Sequence, residues 1–491
     1  KKAAAPKKAA PVKADLSKAS ALRKHSIADR VKGLDHDKES SRMMSIVIFI
    51  AFVMIGGGGT AAWLLLAPPA EPTEARGDSM VIAFPTVTMT PGDTINVRVG
   101  DTTTSVQLFR RNTDNMEFVK IPAGTYTVGD GLSDDERPSV SITVPEFYIG
   151  RDEVTAQQFA TFTSHLNNLA KRADDMKREA EAYARRDPAY ANRMRAQAVI
   201  HDASIYNHPI QGPTPSPSYR GANLDAVHGI SWYDAFRYQV WANGMKPELG
   251  ILPTEVDWEI AARGTTGTIF PWGDRVQGEI AELARRANVR WSESADYDPD
   301  RAEFMQKNFG VVLTEGLATG ENLAANPTPP NSFGARNMYG NAAEYTWDRH
   351  SPRLYEYLSR DGFDPAHRAF AAVGGVDVMR EFDSVHKRRT FRLSSAMAQG
   401  VAETRFTRRV GVLPDDSTYR LIGFRAVFYP EGSAPYGDEL RILRELFEAR
   451  VQAPATTATT TDEQFNAMLV ERRQREDAAR EALRPWFDVI E

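Results

Sequence analysis

The chain has 491 residues, 42% of them hydrophobic and 10% aromatic, with a formal net charge of −5. That is enough apolar material for a large core, and the mild acidity leaves no chain-wide basic footprint for nucleic acid. There is no cysteine, which excludes disulfides, thiolate metal sites, thiol nucleophiles and cysteine-held iron–sulfur clusters.

The first 42 residues read as a disordered basic tail. Lys1, Lys2, Lys7, Lys8, Lys13 and Lys18 lie among Ala and Pro, and Arg23, Lys24, Arg30, Lys32 and Arg42 follow. Met43 to Ala67 carries no charge and is almost wholly apolar. About 25 residues of that kind can span a roughly 30 Å hydrocarbon core, and the run is too long for the apolar part of a cleaved signal peptide. The basic side stays in the cytoplasm by the positive-inside rule, so the expectation is a single-pass membrane protein with its main domain outside the cytoplasm. Within the run, Gly57 with Ala61 and Gly58 with Ala62 have the small-xxx-small spacing that lets helices approach in lipid.

Residues 68–115 read as a linker and a small β segment. Ile95, Val97 and Val99 alternate with polar residues after the turn signal Pro91-Gly92-Asp93, and Val106, Leu108 and Arg110 suggest a second strand. From Met116 short β-rich runs lead to an amphipathic helix near Thr155. Residues 167–199 are charged and Ala-rich, broken at Pro188, and read as an inserted helical hairpin with a solvated face. Ser231 is placed to cap a helix with Asp234 in its first turn. Thr254 is placed to cap another, with Asp257 at its third position and Gly264 as its stop.

The segments "VKIPAGTYTVGD", "EVTAQQFATF", "GISWYDAFRYQVWA", "LPTEVDWEIAARG", "FPWGD", "PPNSFGARNMYGNAAEYTWD" and "LIGFRAV" follow one another in this order. Together they resemble the formylglycine-generating enzyme family, also called the sulfatase-modifying factor domain, over residues 116–430. The resemblance implies an irregular α+β fold similar to C-type lectins, here preceded by a single transmembrane helix. It also implies an oxidation of a sulfatase cysteine that uses a pair of copper-binding cysteines. Matching the family arginine to Arg392 puts those positions near Arg388 and Leu393, and neither is a thiol. Soft Cu(I) needs thiolate, so no copper and no formylglycine-generating activity are expected. The nine histidines show no helical metal spacing, and His165, His201 and His208 read as surface residues.

The resemblance also implies structural calcium. The first site would use the Asn337 side chain, the Gly340 and Ala342 carbonyls and Glu344, an all-oxygen set suited to a hard cation. The second would begin at Asn288 and Val289, with Glu315 and Leu317 as further partners. Read without the family, the same loop is a turn in which Asn337 and Glu344 bond backbone amides.

Residues 431–491 read as a C-terminal helical extension. Leu440, Leu443 and Phe447 share one face of a helix over Asp438–Val451, "QAPATTATTT" reads as a flexible linker, and a second helix over Asp462–Leu483 ends before Pro485. By analogy with non-enzymatic domains of the family it resembles, the expected function is a non-catalytic scaffold or binding subunit of a bacterial envelope complex for secretion, motility or another membrane assembly, anchored in the bacterial inner membrane with its main domain periplasmic. It would contact other membrane or envelope proteins through the transmembrane helix, the helical insertion and the C-terminal helix. The alternatives are an extracytoplasmic lectin-like ligand receptor and an enzyme of unrecognised chemistry.

Overall fold

Alternation of Ile95 and Val97 with polar neighbours folds as a strand, as its period of two requires. In the computed structural model β1 (Met89–Val99) and β2 (Thr102–Arg111) form an antiparallel hairpin, with Ile95 opposite Val106 and Val97 opposite Thr104. The structure describes residues 86–99, 101–131, 133–207, 225–268, 330–369, 405–414, 422–436 and 438–487, with Phe84 and short strands at 291–292, 317–318 and 389–392. All belong to one unit, Val81–Glu491. The apolar run Met43 to Ala67 lies outside the described residues. Among those described, no helix is long and apolar enough to cross a membrane.

The hairpin is part of a larger sheet. β2 pairs with β3 (Glu117–Ile121), which pairs with β6 (Phe147–Gly150), and β13 (Val427–Phe428) closes the order β1-β2-β3-β6-β13. A separate two-stranded ribbon joins β4 (Gly124–Val128) to β5 (Val140–Val144), and another joins β7 (Trp291–Ser292) to β8 (Leu317–Ala318). β9 (Ala343–Arg349), β10 (Arg389–Arg392), β11 (Arg409–Val412) and β12 (Ile422–Phe424) make a four-stranded sheet in the order β11-β10-β9-β12. β9 and β12 run parallel, with Glu344 opposite Gly423. A Cβ on Gly423 would come within 2.3 Å of the Val227 carbonyl oxygen, so only glycine lets the chain pass there.

Helix α1 (Ala156–Tyr183) starts where expected. The Thr155 hydroxyl accepts from the Gln158 amide, and the Gln158 side chain accepts from the Thr155 amide. Its first half buries Phe159, Phe162, Leu166 and Leu169. Phe159 stacks on Tyr238 of α3 (Trp232–Ala242) at 5.8 Å between centroids. α1 then runs on without a break into the segment read as an insertion, and packs there on α2 (Pro188–Ile200). The hairpin is therefore an outgrowth of a core helix.

Helices α6 (Asp438–Val451) and α7 (Asp462–Phe487) pack on each other, and α6 buries Leu443 and Phe447. Three features differ from the expectation. The Thr-rich segment between these helices is tied to α2, because the Asn192 side chain donates to the Thr457 carbonyl at 3.2 Å and the Thr460 carbonyl at 2.8 Å. Arg195 pairs with Asp462 beside it. α7 extends to Phe487, so Pro485 lies in its last turn, where the missing N–H forfeits one bond without breaking the helix. His201 is buried and His165 packs against Tyr206 and Trp241, so neither is a surface residue; burial holds both imidazoles below their ordinary pKa. His208 lies outside the described residues.

The Asn192 clamp predicts that Asn192→Ala loosens the end of the chain. Losing two hydrogen bonds should cost about 1–2 kcal/mol. Hydrogen exchange should quicken in α7 while amides of the five-stranded sheet keep their protection.

Candidate functional site: a buried charged helix and the loop beside it

Helix α4 (Glu255–Arg263) follows its predicted caps. The Thr254 hydroxyl accepts from the Asp257 amide at 3.0 Å, and Gly264 ends the helix at φ 63°. A side chain at Gly264 would meet the Ser332 hydroxyl at 2.4 Å. The Asn331 side chain donates to the Ala261 and Ala262 carbonyls, satisfying groups that the helix end leaves open. What the caps do not announce is that every residue of α4 is buried, its four charged ones included.

Each acid meets an arginine from far along the chain. Arg368 grips Asp257 with two bonds of 2.6 and 3.0 Å, and the Tyr429 hydroxyl adds a third at 2.6 Å. Arg409 of β11 forks onto Glu255, while Arg392 of β10 lies 3.5 Å from it. Arg392 also reaches Glu259 at 3.3 Å, where Arg263 and the Gly129 amide join. Burial would push the Glu255 carboxyl up, but Arg409 and Arg392 outweigh it and hold it below its ordinary value. Asp257 stands at the third position as the sequence indicates; its amide serves the cap, and its carboxylate serves Arg368.

The loop before β9 adjoins this helix. The Trp258 indole of α4 donates to Glu344 Oε2 at 2.6 Å. Arg425, between β12 and β13, donates from Nε to Glu344 Oε2 at 3.1 Å and from Nη2 to Oε1 at 2.7 Å. Its remaining donors go to the Gly150 carbonyl at 2.8 Å and the Arg336 carbonyl at 3.0 Å. Asn337 and Asn341 both take left-handed backbone, with φ of 56° and 61°, and Gly340 has φ 86°. The side chains of both asparagines donate to Glu153, at 3.1 and 2.7 Å. Burial pushes the Glu153 carboxyl up to about 7; Arg425 opposes the shift and Glu344 adds to it.

Asn337, Gly340 and Ala342 lie in the turn before β9, and Glu344 is the second residue of β9. Their donor set nevertheless does not fit a calcium ion. Calcium is held by several oxygens with anionic charge among them, and the one carboxylate of this set already gives both oxygens to a guanidinium and an indole. Of the second candidate site, Asn288, Val289 and Glu315 lie outside the described residues, and Leu317 pairs in β8 with Ser292. Arg388 and Leu393 are also outside them. Among the described residues no group of three or more His, Asp or Glu side chains is disposed to hold a metal.

Glu153 and Arg425 were not singled out from the sequence, although both lie in quoted motifs. The available signal was a lone arginine inside the apolar run "LIGFRAVFY". A charge there is affordable only with a partner.

These features define a class: a mixed α/β domain whose buried helix α4 is joined to the four-stranded sheet through carboxylate–arginine pairs. Residues 104–428 match the family described as sulfatase-modifying factor enzyme 1-like domain, and the chain belongs to that family. The match begins within β2, earlier than the boundary at 116 expected from the motifs.

The chain is 29% identical over 252 residues to the formylglycine-generating enzyme of Mus musculus, covering 47% of this chain and 58% of that protein. It is 28% identical over 244 residues to the formylglycine-generating enzyme of Thermomonospora curvata, covering 47% and 71%. Identity is also 28% over 252 residues to the inactive C-alpha-formylglycine-generating enzyme 2 of Mus musculus, covering 48% and 70%. Among solved structures, PvdO from Pseudomonas aeruginosa overlaps 66% of this chain and 98% of its own, with 19% identity and a TM-score of 0.38.

The buried pairs predict a large mutational effect. Arg368→Met would leave Asp257 charged and unpaired, at a cost of about 3–5 kcal/mol. Denaturant unfolding of the single variant, and of Arg368→Met combined with Asp257→Leu, measures this. The double variant should recover part of the loss.

Proposed function

We propose that this chain is a non-catalytic member of its family that acts by binding or scaffolding. The observation that carries the reading is chemical: none of the 491 residues is cysteine. The oxidation that the family resemblance implies depends on a copper-binding thiolate pair, and no other side chain supplies that soft ligand. Arg392, the residue that sets the register of the missing pair, is held through both terminal nitrogens in the buried network around α4. A family that holds both enzymes and a relative named inactive accommodates such a member.

The purified chain should therefore yield no formylglycine from a sulfatase-derived peptide, with or without added copper, as read by peptide mass spectrometry. Product above a no-protein control would remove the reading.

The setting we propose is a bacterial inner membrane, with Met43 to Ala67 as the anchor and the basic tail in the cytoplasm. The partner would be another subunit of an envelope assembly. Support for a partner-facing role comes from the exposed charged residues of the helical hairpin α1–α2, which lies within the family match, and of the pair α6–α7, which lies beyond it. Protease added to intact spheroplasts should cleave within residues 116–430 and spare an epitope placed at Lys24. The opposite pattern would invert the topology.

A further inference from the structure

We propose that Arg425 is the resident cation of the loop at Asn337–Glu344, and that this loop takes no calcium because a guanidinium already does the ion's work. The inference concerns this site alone and is independent of the proposed function.

A structural cation at this position has two tasks. It must balance the Glu344 charge inside the protein, and it must tie the loop to neighbouring segments through oxygen ligands. Arg425 performs both. Its side chain is fully buried, as is that of Glu344 to within 1%. Two donors bind the two carboxylate oxygens, and the others bind the carbonyls of Gly150, at the end of β6, and of Arg336, at the start of the turn. A forked guanidinium suits planar carboxylate recognition, and charge-assisted bonds of this kind are strong. The carboxylate is thus bound by the arginine, which also holds both carbonyls.

What remains of the nominated set is neutral: an Asn side-chain oxygen and two backbone carbonyls. Hard-cation affinity rises with the number of charged ligands, so neutral oxygens alone would bind calcium poorly. The Asn337 side chain is also oriented from within, by its donation to Glu153. Glu153 lies 3.9 Å from the same guanidinium, so the one arginine faces both acids at the loop. A divalent ion approaching Glu344 would have to displace Arg425 and leave its guanidinium buried without its carboxylate.

Trp258 supplies the test. Its indole touches Glu344, so a lanthanide seated on that carboxylate would lie beside a sensitising ring. Terbium should be titrated into the full chain and into Asn337→Ala, with emission read on tryptophan excitation and calcium added as competitor. The expected result is no calcium-competed emission that depends on Asn337, and a melting temperature that is the same in EDTA and in millimolar calcium. Emission that persists unchanged in Asn337→Ala comes from elsewhere and agrees with the proposal. Saturable one-to-one binding in the unaltered chain, competed by calcium and lost in Asn337→Ala, would overturn it. Arg425→Gln is the complementary variant. With the guanidinium gone and both acids exposed to each other, terbium affinity at the loop should rise at least tenfold. No rise in a folded Arg425→Gln chain would also count against the proposal.

Discussion

The need to neutralise buried carboxylates governs this domain. Helix α4 places Glu255, Asp257 and Glu259 where water does not reach, and the start of β9 adds Glu344. An unpaired charge at any of these positions would cost several kcal/mol. Arg392, Arg409, Arg368 and Arg425 must therefore arrive from different parts of the chain, and their arrival fixes which strands lie beside the helix. β10 and β11 supply two of them, and the segment between β12 and β13 supplies another. The sheets and the helix are held in one arrangement by charge pairing laid over a largely aromatic core.

The same requirement bears on function. A side chain engaged by several fixed partners is pre-organised but has little freedom to move protons or bind substrate. Arg392 donates to the Glu255 carbonyl and lies against Glu259, with Tyr355 completing the group. Such a network stabilises a scaffold. The copper-binding pair that the family resemblance implies needs thiolate, and this sequence has no cysteine.

Outside that framework the chain has grown helices. α1 begins as a core element with Phe159 and Phe162 buried and ends as half of a helical hairpin with α2. α6 buries its apolar face, and Arg450 reaches the carbonyls of Ile205 and Asn207, tying the C-terminal extension to the end of the hairpin. Two segments far apart in sequence thus form one helical lobe, with polar clamps where it meets the Thr-rich stretch.

Local features were legible in the sequence because they depend on neighbours. The helix start near Thr155, the caps at Ser231 and Thr254, the stop at Gly264, the alternation in β1 and the absence of cysteine all follow from residues within a turn or two, or from composition alone. The order of the motifs carried the family. The partners of the charges could not be read that way. "EVDWEIAAR" has the pattern of a helix with a solvated face, yet Asp257 meets an arginine 111 residues away and Glu255 one 154 residues away. The sequence likewise presents Glu344 as an available ligand, and only the approach of Arg425 across 81 residues shows it taken. Charge pairing acts through space over a few ångströms and leaves no local period in the chain, so the tertiary structure alone decides which acid each arginine serves.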